Sequence, residues 1–475
     1  MNAPREDAPA AVLSGIARIF DAQRAAYARE PYPAAAARRE RLTRLMALLE
    51  DEQPWIDAID RDFGHRSAHE TRLAELYVVG AEARLARRRV ARWMRPRRVA
   101  TPLRLWPGAA RILPQPRGVV GVISPWNYPV QLALAPVVAA LAAGNRVMLK
   151  PSELTPATSA LLAQRIGERF ADDELAVVLG DAHVGEAFSR LPFDHLFFTG
   201  STPVGRRVAV AAAENLTPVT LELGGKSPAL FDADADLDAL APRLMAGKLL
   251  NAGQTCIAPD YALVPQAGVD AFVEAVKRAT ARLYPDATRA ADYTAIVSDR
   301  HYARLQALLD DARARGARVI PLTGESSGHP RQLAPTLVVG VDADMAIMRE
   351  EIFGPLLPVE AYADLDDAIA RMKARPHPLA LYWFGRSRAR LARVLRETHA
   401  GGVTVNDTLW HFAHEGLPFG GVGASGQGTY HGEHGFRTFS VDKPVFVQRP
   451  HAPSRLLQPP YGRAFERLLR VLKRL

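Results

Sequence analysis

The chain has 475 residues, with 48% apolar and 23% charged side chains; this excludes a largely disordered chain and leaves room for two or three domains. Its net charge is +9, and its single cysteine, Cys256, excludes an internal disulfide and any need for an oxidising compartment. The first eleven residues carry Pro, Arg, Glu and Asp where a leader would be apolar, and no run of about 18 uninterrupted apolar residues follows, so the expected protein is cytoplasmic, with no transmembrane anchor.

Residues 10–95 read as helical. Leu42, Leu45, Met46 and Leu49 recur at helical spacing, with Arg and Glu between them. The arginines between Arg84 and Arg98 would suit nucleic acid by charge alone, but no aromatic residues interleave as stacking partners, so they read as a solvated helix face. Pro96, Pro102 and Pro107 break the pattern. Arg111 to Pro116 reads as an edge strand and Val119 to Ser124 as a buried one. The apolar stretch after Val130 reads as a buried helix to Ala143, ended by Gly144 at the C-cap. Arg146 to Lys150 is the next strand. Thr155 and Pro156 then open a helix with a capping residue and a first-turn proline. Ala176 to Leu179 and His195 to Phe198 complete an alternation that predicts a parallel sheet with right-handed crossovers.

A second series covers about 235–410, with helices expected at 236–251, 268–283, 299–315, 364–374 and 387–397. Its strands are Ala262 to Val264, Thr336 to Val339, Leu357 to Tyr362, Leu381 to Phe384 and Val403 to Asn406. A last strand, Val445 to Gln448, either returns to the first domain or reaches another subunit. Tyr461 to Leu475 reads as a basic amphipathic helix, too short and too charged to span a bilayer.

Three segments carry candidate chemistry. In Phe198 to Gly205 (FTGSTPVG) a strand ends in Gly, Ser and Thr and Pro203 opens a helix, a start whose N–H groups favour a phosphate. A plain capped helix fits the same pattern. In Glu222 to Pro228 (ELGGKSP) a carboxylate follows a strand beside two glycines; it is a catalytic base or one half of an ion pair with Lys226. In Asn251 to Asp260 (NAGQTCIAPD) the only thiol follows a polar turn. Cys256 is either a nucleophile or a small buried apolar side chain. Gly421 to Gly426 matches G-x-G-x-x-G but follows no strand and starts no clear helix, so it reads as a flexible loop. His411, His414, His431 and His434 have ligand-like spacing, but their flanking glycines argue against a helix and the expected metal content is none.

Taken in order, PWNYP at 125–129, KPSE at 150–153, FTGS at 198–201, ELGGKSP at 222–228, GQTC at 253–256, EEIFGP at 350–355 and LPFGGVG at 417–423 closely resemble the aldehyde dehydrogenase superfamily over about residues 15–450. The residues after Cys256 and the segment Gly428 to Gly432 resemble its class 3 branch, which includes coniferyl and fatty aldehyde dehydrogenases. The resemblance implies an α/β fold of two Rossmann-type domains with a small β oligomerisation extension. The expected division is a cofactor domain at 1–222 (with an oligomerisation edge strand at 107–116), a catalytic domain at 223–415, a return to the cofactor domain at 416–450 and a tail at 451–475.

It also implies oxidation of an aldehyde to a carboxylic acid through a thioester on Cys256. Asn127 and the Cys256 N–H would hold the oxyanion, and Glu222 would activate water. Lys150 and Glu153 would contact the adenosine ribose, Gly200, Ser201 and Gly205 the pyrophosphate, and Glu351 the nicotinamide ribose, with Phe353 packing nearby. Glu153 favours NAD by accepting from a ribose 2′-OH; NADP also serves class 3 relatives. A homodimer is implied. The other functions weighed are a cysteine-dependent esterase and a basic nucleic-acid-binding protein on the same fold. His411 or His414 would lie near the substrate entrance, and the tail would dock on a partner subunit, cap the substrate funnel or touch a membrane surface.

Overall fold

The computed structural model describes residues 10–285, 291–324, 331–452, 454 and 457–473. The N-terminal region is helical, at Ala10–Arg29, Ala35–Ala47, Gln53–Phe63 and Ala68–Glu70, then a π-helical stretch at Thr71–Tyr77 and a further helix at Val78–Trp93. On the last of these, Arg84, Arg87, Arg88, Arg89 and Arg92 are exposed while Ala83, Ala86, Val90 and Trp93 are buried. The arginine run is therefore the solvated face that the spacing predicts.

Sixteen strands are present among the described residues. In chain order they are β1 (Arg97–Val99), β2 (Ala109–Pro116), β3 (Val119–Ile123), β4 (Arg146–Lys150), β5 (Leu175–Val177), β6 (His195–Thr199), β7 (Val219–Glu222), β8 (Pro228–Phe231), β9 (Tyr261–Pro265), β10 (Arg318–Pro321), β11 (Thr336–Val339), β12 (Leu356–Tyr362), β13 (Ala380–Phe384), β14 (Gly402–Val405), β15 (Gly426–Gln427) and β16 (Ser440–Val447). They form three sheets, ordered β15-β7-β6-β3-β4-β5, β10-β11-β12-β9-β8-β13-β14 and β1-β2-β16. In the two large sheets every pairing is parallel except those of β15 and β10.

Residues 109–116 correct the expectation of an edge strand. β2 is the middle of the three-stranded sheet, with β1 and β16 on its flanks. The chain returns late to cover it: Ser440 pairs with Pro116 and Val447 with Ala109. The last strand thus rejoins the first part of the chain.

Apolar burial fixes the sheets. β3, β4 and β6 are buried at every residue, as strands covered on both faces must be. Behind them lies the helix Gln131–Ala143, also buried throughout, which is why it is apolar on every side. It ends at Gly144, in a left-handed conformation, where an added Cβ would fall 2.8 Å from the Arg38 guanidinium. The helix Pro156–Gly167 starts as expected, with a different cap. Thr155 makes no side-chain cap hydrogen bond. Asp62, from a distant helix, accepts instead from the N–H groups of Ala157 and Thr158 at 2.8 Å each.

Strand order places the functional region. In the six-stranded sheet β3 has β4 on one side and β6 on the other, so the crevice outside their carboxyl ends is the topological switch point. The register there sets Ile123 beside Lys150 and Phe198, and Thr199 beside Glu222. Cys256 and Glu351 come from the other sheet, just before β9 and β12. Among the described residues no helix is long and apolar enough to cross a membrane.

Candidate active site

Asn127 lies in the turn after β3, 3% exposed. Its Nδ2 donates to the Gln254 carbonyl at 3.1 Å, so it reaches the loop that carries Cys256. One residue on, the Tyr128 hydroxyl and the Thr255 Oγ1 are 2.7 Å apart. Gln254 is anchored in turn: its Nε2 donates to the carbonyls of Asn251 and Ala295 at 3.0 Å, and its Oε1 accepts from the Val297 N–H at 3.0 Å. Asn251 donates through Nδ2 to the Asn127 carbonyl at 2.8 Å.

This loop is held in an uncommon backbone conformation. Asn251, Ala252 and Gly253 have φ of 54°, 51° and 76°. Left-handed conformations at non-glycine residues cost about 1–3 kcal/mol each and persist where surrounding contacts impose them. At Gly253 a Cβ would fall 2.2 Å from the Gly354 carbonyl oxygen, so only glycine fits.

The Cys256 residue is partly exposed. Burial of its thiol, with the Glu351 and Glu222 carboxyls nearby, pushes its pKa up to about 12. Glu222 is 3% exposed, and neither of its carboxylate oxygens has a hydrogen-bond partner within the protein. Burial raises its pKa well above the ordinary carboxyl range. Lys226 is not its partner. That ammonium pairs with Asp260 and donates to the Ile347 and Glu350 carbonyls at 2.8 and 2.9 Å.

The Gly421 to Gly426 segment is not the free loop the sequence suggests. Ser425 Oγ accepts from the Val422 N–H at 2.9 Å, and Gly426 pairs antiparallel with Glu222 itself. Added Cβ atoms at Gly421 and Gly426 would fall 2.1 and 2.4 Å from backbone oxygens, so these glycines permit close packing.

Of the expected cofactor residues, Lys150, Glu153, Gly200, Ser201 and Gly205 lie at or after the ends of β4 and β6, while Glu351 and Phe353 precede β12 of the other sheet. Lys150 is 3% exposed and donates to Glu153 Oε2 at 2.8 Å, so the pair is not two solvated charges. The helix Thr202–Ala213 begins after Ser201, which offers no side-chain cap, and its first turn holds no acidic residue. Its leading N–H groups are therefore suited to an anion. A Cβ at Gly200 would meet the Phe198 ring and one at Gly205 the Leu223 side chain, both at 2.6 Å; the two glycines keep the helix start close to the sheet. Glu351 sits against Gly224, where an added Cβ would overlap its carboxyl, and accepts from the Gly225 N–H. Burial, with Asp260 adding to it, pushes the Glu351 carboxyl up to about 8. Phe353 packs edge-on against Trp126 at 5.3 Å between ring centres. A dinucleotide fits these residues: an uncapped helix start for phosphates, a lysine–carboxylate pair at one strand end and a second carboxyl beside the thiol.

The histidines have other tasks. His411 lies in a short helix, Trp410–Ala413, and His434 in another, Gly432–Thr438, which corrects the expectation of no helix there. Gly432, with φ of 49°, makes the turn that starts the second helix. His411 shares a 2.8 Å hydrogen bond with Thr404 Oγ1 and stacks on Phe419, and burial pushes it down to about 4. His431 stacks on the same ring, while His414 is exposed.

Sequence reasoning missed the layer behind Asn127. Arg66, Glu70 and Glu75 are buried, although their stretch reads as an ordinary polar helix. It also left Asp260 without a task; its Oδ1 accepts from the Ile352 N–H at 2.8 Å and so ties the Cys256 loop to the Glu351 segment.

Glu222, at the end of β7, and Glu351, just before β12, thus bring their carboxyls near the thiol that precedes β9, an arrangement compatible with a nucleotide-dependent oxidoreductase. The sequence matches the model of the Aldehyde dehydrogenase family over residues 7–445, and the chain belongs to that family, whose reaction is aldehyde oxidation. A relative from Pseudomonas aeruginosa, named "Probable coniferyl aldehyde dehydrogenase", is 51% identical over 96% of both chains. Staphylococcus aureus AldH, solved in a substrate-bound state, superposes with a TM-score of 0.91 at 38% identity, over 96% of this chain and 99% of that one. A mutant of aldehyde dehydrogenase C from Pseudomonas syringae, solved with NAD+ and octanal, gives 0.82 at 28% identity, over 93% and 90%.

Proposed function

We propose that the protein oxidises an aromatic aldehyde of the coniferyl type, or a medium- to long-chain aliphatic one, to its carboxylic acid through a thioester on Cys256, with NAD as cofactor and NADP as an alternative. The observation that carries the reading is the Asn127 amide held against the Cys256 loop, in a site whose remaining carboxylate, Glu222, has no partner in the protein.

The Cys256 thiolate, its proton released to solvent, bonds to the aldehyde carbon, and the carbonyl π pair passes to the oxygen, which takes up the negative charge. Asn127 Nδ2 has two hydrogens; one is on the Gln254 carbonyl and the other is available to that oxygen. The Cys256 N–H is the second donor, and two such donors in a buried site contribute a few kcal/mol. When bound, the nicotinamide supplies the acceptor for the hydride that leaves the substrate carbon. Lys150, Glu153 and the helix start after Ser201 would hold the adenosine and phosphate end, and Glu351, with Phe353 packing nearby, would hold the nicotinamide ribose. In the second half Glu222 takes a proton from water, whose oxygen bonds to the thioester carbon as the carbon–sulfur bond breaks. The buried, unpaired carboxylate suits this, because no hydrogen bond must be given up when it gains a proton.

The expected division at 1–222, 223–415 and 416–450 is supported by the sheets: β3 to β7 precede the first boundary, β8 to β14 lie within the second segment, and β15 and β16 return. The exposed Val441, Phe446 and Val447 on β16 favour the implied homodimer. The tail helix Arg463–Leu472 has no buried residue; Arg474 and Leu475 lie outside the described residues. Its cationic side chains, Arg463, Arg467 and Arg470, favour contact with an anionic membrane surface.

The test is reduced-nicotinamide absorbance with NAD, then NADP, across coniferyl aldehyde, benzaldehyde, hexanal and decanal, for wild type and Cys256→Ala. Cofactor reduction that vanishes in the variant is the expected result, with coniferyl aldehyde ranked first. Reduction that persists in the variant overturns the thioester route.

A further inference from the structure

Asn127 is gripped through its backbone carbonyl by a buried charge cluster. Its carbonyl oxygen accepts two hydrogen bonds, from Arg66 Nη1 at 3.0 Å and from Asn251 Nδ2 at 2.8 Å. A carbonyl oxygen has two lone pairs, so both are used and the peptide plane after Asn127 is set. The Arg66 side chain has no exposure at all. It lies between two buried carboxylates, with nitrogens 3.7 Å from Glu70 and 3.7 Å from Glu75, and over the rings of Phe63 and Tyr128 at 4.8 and 5.1 Å.

Each carboxylate holds one of the two loops that meet at the thiol. Glu75 Oε2 accepts from the N–H groups of Val130 and Gln131 at 2.9 and 2.8 Å, which pins the far end of the Asn127 turn to the start of the buried helix. Glu70 accepts from the Asn251 N–H at 3.0 Å and from Thr294 Oγ1 at 2.8 Å, which holds the left-handed residue that opens the Cys256 loop. One guanidinium therefore bridges the anchors of both loops, and its own hydrogen bond ends on Asn127.

Three charges buried together are costly unless their geometry is satisfied, and replacing such sets by apolar residues is often neutral or stabilising. Fold stability alone is thus a weak reason for this cluster at this place. We propose that Arg66, bracketed by Glu70 and Glu75, is a positioning residue that aims the Asn127 side-chain amide at the oxygen of the reacting carbonyl, so that oxyanion stabilisation depends on a group which touches neither substrate nor thiol. This rests on the oxyanion role proposed for Asn127. The planar fork is what the site uses. A lysine keeps the charge but cannot present one N–H to the Asn127 carbonyl while directing others at both carboxylates.

The experiment is a double-mutant cycle of Arg66→Lys and Asn127→Ala, with kcat, the KM for aldehyde and the cofactor dissociation constant measured for all four proteins. Asn127→Ala alone is expected to lower kcat about 10²–10³-fold, and Arg66→Lys alone on the order of ten- to a hundred-fold, because small misplacements of a catalytic group have effects of that size. Cofactor affinity should stay within about two-fold of wild type. In the Asn127→Ala background, Arg66→Lys should lower kcat by no more than about two-fold, since there is no amide left to aim. Equal losses from Arg66→Lys in both backgrounds would overturn the proposal and make Arg66 a general packing residue. A wild-type kcat for Asn127→Ala would instead overturn the oxyanion reading on which it rests. Glu75→Gln, which keeps the shape and two acceptor lone pairs on Oε1, serves where Arg66→Lys fails to fold; the same non-additivity with Asn127→Ala is expected and plain additivity counts against the proposal.

Discussion

Two corners of one site are built in opposite ways. Around Asn127, Asn251 and Gln254 nearly every polar atom is tethered, and the carbonyl of Asn127 is held twice over. Around Glu222, equally buried, the carboxylate has no hydrogen bond within the protein. A dipole that must point at a developing charge gains from rigidity, because its orientation is fixed before the reaction. A base that must gain and lose a proton gains from the absence of partners, because any donor to its ionised form would lower its pKa and weaken it. The contrast supports the proposed roles: fixed geometry for the amide and proton uptake for the acid.

The comparison can be broken first at the thiol that both corners serve. Cys256→Ala should lower aldehyde oxidation by at least about 10⁴-fold, with cofactor affinity unchanged in a fluorescence titration; residual turnover within ten-fold of wild type would remove the reason for either corner. Glu222→Gln should lower steady-state turnover by about 10²–10⁴-fold, while a rapid-mixing trace still shows a burst of reduced cofactor. Loss of the burst would place Glu222 in the first half of the reaction. Asn127→Ala should slow the first half itself, by about 10²–10³-fold, so that it limits turnover and the burst disappears.

The subtlest difference lies in stability against pH. The folded-state pKa of Glu222 is raised well above its ordinary value of 4.5 by burial. Its contribution is therefore fully present below the unfolded value and is lost as pH rises through the folded one. Glu222→Gln removes this loss. Denaturant midpoints should be similar for wild type and variant below about pH 4.5 and should diverge upward, with the variant the more stable at about pH 8. The expected gap there is roughly 1–3 kcal/mol, the scale for a buried polar group without partners. A variant less stable than wild type at the higher pH would mean that Glu222 is held by contacts after all.

Much of this is legible in the sequence. The apolar run after Val130 is a buried helix because nothing else could hold it, and the α/β alternation gives both parallel sheets. Cys256, Glu222 and Asn127 stand out through short motifs whose glycines and turns are local. Arg66, Glu70 and Glu75 do not. On a helix a buried charge and a solvated one have the same letters, and only tertiary contacts separate them. Asp62 is the same case at smaller scale: it caps a helix almost a hundred residues further on, where the local pattern offers Thr155. The segment 421–426 fails for a different reason. Its glycines signal freedom when read alone and tight packing once Leu221 and Ser425 are set against them.

That segment also carries a consequence for synthesis. The edge of β7 that holds Glu222 stays open until Gly426 and Gln427 lie along it. Chains emerge from the ribosome N-terminus first and fold as they emerge. The corner proposed to hydrolyse the thioester is therefore completed late, long after the thiol has been made. A nascent chain stalled before β15 would carry the sulfur without the completed wall around its base, so the order of translation itself delays the chemistry until nearly the whole enzyme exists.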